Sequence, residues 1–240
     1  MAYPAYSREP VVSEAPVESR VAFLRKVAGL TFVGLSVSAL TSMATAGLIM
    51  ALQLYSTVAQ LVILFGSYAV AHYGARSLVF SQSAATRYVG FFTGAVFQGI
   101  AMGYLVLTAV LMSSELFGNP LALIFQALAL VGLTTVGLTA YLLTGPKNLS
   151  YLGAALSALS LPMLGLMVLT YVYPFNGVVG LLMSLVFVGV SVGGLLYQLN
   201  SVMHQMAARM HVEASYMVMM GILVLFWNIL VLLMRLQSRD

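Results

Sequence analysis

The chain contains no cysteine. That excludes disulfides, thiolate metal centres and thiol nucleophiles. Charge is almost as scarce: 7% of the 240 residues are Asp, Glu, Lys or Arg, against 61% hydrophobic ones. A water-soluble domain carries roughly a quarter charged residues, so this composition cannot coat a water-facing surface. Lipid is the solvent that fits, and the bilayer is the first partner the sequence implies. The ten Lys and Arg against six Asp and Glu do not point to nucleic acid, because the cations are scattered at helix ends and form no patch.

What the chain does have is apolar runs long enough to cross a membrane, which takes about 20 residues each. They fall near residues 27–50, 57–71, 88–112, 121–143, 149–172, 177–200 and 215–234. The weakest break is 53–56, where no charge separates two runs. Inside lipid only helices and closed barrels satisfy every backbone group, and these runs are too long and too uniformly apolar for barrel strands. The expected fold is an all-α, seven-helix transmembrane bundle over residues 21–240. Residues 1–20, with three of the seven prolines, read as a flexible cytoplasmic tail. Arg25, Lys26, the apolar run and Ala44-Thr45-Ala46 imitate a signal peptide. The long polar stretch ahead of them favours a retained span.

Orientation follows from the cations. Arg8, Arg20, Arg25, Lys26, Arg76, Arg87, Lys147 and Arg209 fall on one side, Arg235 and Arg239 on the other. Eight against two places the N-terminus in the cytoplasm and the C-terminus outside, in a cell inner membrane. If Arg235 and Arg239 were cytoplasmic as well, one span would be re-entrant.

The spans lack acids and bases in their interiors, so no buried carboxylate is there to relay protons. The polar groups that remain are amides: Gln60, Gln98, Gln126, Gln198, Asn200 and Asn228. They read as interhelical glue or as the polar lining of a small pore. Gly90, Gly94, Gly99 and Gly103 form two GxxxG pairs on nearly opposite faces of the third span, and Gly189 and Gly193 repeat the relation in the sixth. These are helix-packing residues, and Pro162 is expected to kink the fifth span. His204, His211 and Glu213 cluster between the last two spans. Their spacing matches no zinc pattern, and a solvated titratable turn is the expected reading. No metal or cofactor is expected. With no Walker loop, GxSxG or HExxH, neither is catalysis.

The ordered set of segments carries a family resemblance. FLRKVAGLTFVGLSVSALTSMATA (23–46), AYLLTGPKNLSYLGAAL (140–156), GGLLYQLNSVMH (193–204) and LFWNILVLLMRLQSRD (225–240) resemble the Bax inhibitor-1/YccA-like membrane proteins, closest to the bacterial YccA branch. The resemblance implies seven helices with the last one central. It also implies one of two roles: a calcium leak channel gated by an acidic pair on helices six and seven, or a partner restraining the FtsH membrane protease in quality control. An accessory subunit of a larger membrane assembly is a third possibility. Gln198 and Leu225 stand where the family has its acidic pair, and Asn148 where it has an Asp. A Gln or a Leu offers no titratable oxygen, and calcium favours carboxylates, so the gated mechanism loses its sensor.

Overall fold

The computed structural model describes residues 11–144, 149–172 and 177–237; Arg8, Lys147, Asn148 and Arg239 lie outside them. Among the described residues the chain forms seven long helices and no strand. They are α1 (Val17–Ala51), α2 (Thr57–Val79), α3 (Ala84–Phe117), α4 (Ala122–Leu143), α5 (Ser150–Val172), α6 (Gly177–His204) and α7 (His211–Gln237). Over the described residues α1–α4, α6 and α7 are long and apolar enough to cross a bilayer. Helix α5 runs for 23 residues, continues on both sides of Pro162, and includes side chains outside the described set.

The uncharged break is real, and local chemistry makes it. Gln53 takes a left-handed φ of 52°. Ser56 then caps α2 by accepting a hydrogen bond from the Ala59 N–H at 3.2 Å. The Tyr104 hydroxyl donates to the Leu54 carbonyl and ties the turn to α3. Within α2, residues Val70–Ala75 widen into a π-helical segment.

The tail is shorter than the sequence suggests. Helix α1 begins at Val17, and Val12–Glu14 form a 3-10 turn before it. Val12 is fully buried, and its N–H donates to the Met206 carbonyl at 2.9 Å. Val11 forms an isolated antiparallel bridge with Ala207. Two apolar valines in a polar stretch find cover against the loop before α7, so the segment from residue 11 onward is docked.

The fold divides into two compact units: residues up to Leu107 with Ser201–Met220, and Thr108–Asn200 with the end of α7. In the first unit, α3 is the closely approached helix. A Cβ at Gly90 would stand 2.6 Å from the Val79 backbone nitrogen, and one at Gly99 would stand 2.5 Å from the Ser38 carbonyl oxygen. At Gly103 it would meet Thr45, and at Gly94 the ring of Tyr216. One glycine pair therefore faces α2 and α7, and the other faces α1. Gly34 does the same for α1, beside Met219 and Phe91.

In the second unit the close approaches are Gly153 against Tyr197 and Gly221 against Gln198 and Leu195. Among the described residues no atom lies within 4 Å of a Cβ at Gly189, and at Gly193 the one that does is Leu152, at an ordinary 3.6 Å. Spacing on one helix cannot say whether a neighbour lies on that face.

Candidate functional site

Two places bring together the residues that the sequence marks out. The first is where the resemblance puts an acidic pair. Leu225 is completely buried in α7. Gln198, on α6, lies against α7 at Gly221, where a Cβ would press on the amide oxygen and the Gln198 side chain would have to shift. The Gln198 Oε1 is buried and accepts no hydrogen bond among the described residues. Neither position supplies a carboxylate. Arg235, expected in the C-terminal tail, is still within α7, where its guanidinium donates to the Gly180 carbonyl of α6.

The second place is the start of α7, in the first unit. Glu213 sits in the first helical turn, 1% exposed, with its Oε1 3.2 Å from Nη1 of Arg87. Arg87 is itself held: Nε donates to the Ser81 carbonyl at 3.0 Å and Nη2 to the Gln82 carbonyl at 3.2 Å. The next residue makes a parallel link, since the Tyr88 hydroxyl and His211 Nε2 are 3.0 Å apart. His211 Nδ1 lies 3.2 Å from the Arg209 carbonyl. A carbonyl can only accept, so Nδ1 carries the proton. In the neutral ring Nε2 therefore accepts from Tyr88. Residues 87 and 88 of α3 thus clamp residues 213 and 211 of α7.

This corrects the reading of the His204–Glu213 region as a solvated turn. His204 closes α6, His211 opens α7, and Glu213 is a buried ion-pair partner. The ion pair was legible in principle. Arg87 begins the third span and Glu213 the seventh, and the charge count already placed both at the same membrane face. The acid lay two residues outside the expected span, and so it escaped a search of span interiors.

Gln60 reaches back to the Tyr55 carbonyl and Asn228 donates to Val224 of its own helix at 2.9 Å. Gln126 is exposed, whereas Gln98 and Asn200 are buried. Hydroxyls make cross-helix bonds among the described residues. Ser38 donates to the Ala95 carbonyl at 2.8 Å, and Ser215 to the Val27 carbonyl at 3.3 Å. Tyr216 donates to Ala71, a residue of the π-helical segment. A π segment frees a carbonyl from the regular ladder, and Tyr216 takes it. Apolar patterning carries no signal for either feature.

A family model described as "Inhibitor of apoptosis-promoting Bax1" matches residues 20–239. No curated protein and no solved structure matches the chain. With nearly every residue beyond the N-terminal tail covered, and with a multi-pass helical architecture beneath it, the chain belongs to the Bax inhibitor-1 family.

Proposed function

We propose that this chain is a non-catalytic inner-membrane protein that works by binding, as a modulator or scaffold partner of an FtsH-like membrane protease or another membrane complex. The observation that carries this reading is the state of positions 198 and 225. An amide pressed on Gly221 and a fully buried leucine provide no proton sensor and no carboxylate for calcium. Of the roles the family resemblance implies, the one that needs neither is association. The cation bias supports a cytoplasmic N-terminus, from which residues 1–10 would be available to a partner on that side. Affinity purification in mild detergent, from cells that contain the protease, tests the proposal. Recovery of the chain alone would overturn it.

A second reading, an ion leak without an acidic sensor, draws on the buried, unpartnered Oε1 of Gln198, a polar atom of the kind that lines a pore. Reconstitution into calcium-loaded vesicles decides it. Flux equal to that of empty vesicles between about pH 6 and 8, the range where a proton sensor acts, removes the leak. Gln198→Asp with Leu225→Asp adds pH dependence to a competent pathway and adds nothing to a scaffold.

A further inference from the structure

Residues 11–15 hold the loop between α6 and α7 by its main chain. Val11 and Ala207 face each other as an antiparallel pair, and the bond beside that pair runs from the Val12 N–H to the Met206 carbonyl at 2.9 Å. Main-chain bonds of this kind accept any extended segment, and side-chain seats choose among segments. Here the choice falls on few atoms. A 3-10 turn has about three residues per turn, so Val12 and Ala15 share one face, and both are buried while Glu14 is exposed. The loop they lie on is apolar as well, with Met206, Ala207 and Met210 all buried. Methionine is the side chain that adapts most readily to differently shaped partners.

The segment is separable from the helix that follows it. Pro10 and Pro16 bracket it. Pro16 has no N–H to satisfy, and its carbonyl accepts from the Arg20 N–H at 3.0 Å. Helix α1 therefore starts without residues 11–15. What fastens the segment is a buried valine, a buried alanine and a short run of main-chain bonds. What opposes it is the lost freedom of residues 11–15, and the difference between the two is small. A segment held this lightly covers a surface without being fixed to it.

We propose that the main chain at residues 206 and 207 is a docking edge for an extended segment of a partner protein, with a small apolar side chain seated where Val12 sits. Residues 11–15 occupy the edge in cis until that segment displaces them. Such an edge rests on the binding role proposed above and gives it an address on the chain.

Disulfide trapping tests the edge without a partner, because the chain has no cysteine of its own. Ala207→Cys is introduced into the full chain in detergent, and the probe is a peptide of residues 11–16 carrying Val11→Cys. Opposed residues of an antiparallel pair lie within disulfide reach. In a glutathione buffer the peptide should couple about tenfold more to a chain that also carries Val12→Asp, which expels the segment from its apolar seat, than to one with Val12 intact. A probe with Val12→Asp of its own should couple no better than glutathione does. Val12→Ala in the chain loosens the seat without adding charge and should give the same order, so it carries the test should the Asp variant not fold. Equal coupling with and without the Val12 substitutions overturns the proposal, as does equal coupling of the two peptides. Val11→Cys with Ala207→Cys in one chain then locks the segment down. Oxidised, that chain should lose its partner in the affinity purification, and reduced it should regain it. A partner retained by the oxidised chain overturns the proposal. Recovery of the chain alone in both states overturns the binding role itself, a failure that trapping, which needs no partner, keeps apart from failure of the edge.

Discussion

Replacing Arg87 by Gln should harm the fold more than replacing its partner, and the exposures say why. The Arg87 side chain is 19% exposed and that of Glu213 is 1%. Arg87→Gln leaves a buried carboxylate without its direct ion-pair partner, a loss of about 3–5 kcal/mol for a broken buried pair. It also releases the Ser81 and Gln82 carbonyls that the guanidinium holds. Glu213→Gln leaves a cation that keeps those two carbonyls and reaches water. Its cost is nearer the roughly 1.5–3 kcal/mol of a charged hydrogen bond. In the double variant no bare charge remains, so it should lie above Arg87→Gln by at least about 1 kcal/mol, the mark of a coupled pair. Thermal unfolding in detergent, followed by fluorescence of the single tryptophan, Trp227 in α7, measures all three. For a chain of this size Arg87→Gln should lower Tm by on the order of 10 °C. A shift under about 2 °C, or two single variants of equal cost that simply add, would refute the asymmetry.

Gly99→Ala should destabilise by about 1–3 kcal/mol, because the new methyl meets the Ser38 carbonyl and backbone cannot yield cheaply. Gly189→Ala, with no described atom within 4 Å of the new methyl, should be neutral or gain up to about 1 kcal/mol of helix propensity; the same melting assay ranks the two, and the reverse order would contradict the packing. Ser38→Ala removes the 2.8 Å bond to Ala95 and should cost about 0.5–2 kcal/mol in that assay. Because the chain has no cysteine, single cysteines report topology without background. An impermeant maleimide on intact cells should label Pro120→Cys and spare Ser83→Cys, and the opposite pattern would invert the proposed orientation.

The helices were legible because lipid imposes one strong rule. Runs such as 121–143 can satisfy their backbone only as helix, and α4 begins at Ala122 and ends at Leu143. The turn at Gln53 was legible only as a weakening of hydropathy, since its left-handed φ and the Ser56 cap are local chemistry without charge. Packing partners were not legible. Gly90 and Gly189 look alike in sequence, yet one meets the α2 backbone and the other meets no described residue. Hydroxyls were overlooked because a serine in a membrane helix most often bonds its own chain, as Ser191 does to Phe187. Only the facing helix reveals that Ser38 reaches across to Ala95.

The placement of the one acid in α7 bears on function more than its presence does. Glu213 lies twelve residues before Leu225, more than three helical turns at 3.6 residues each. Its carboxylate cannot stand in for one missing at 225. It is also not poised as a relay. Its partner guanidinium, which stays protonated, has two more of its donors on loop carbonyls, so a proton arriving at Glu213 would loosen the grip of α3 on α7 rather than pass on through Arg87. In this chain the buried acid joins helices, while the positions where the resemblance puts an acidic pair hold an amide and a leucine. A bundle whose buried acid serves a joint suits the proposed binding role, which needs a kept shape more than an opening.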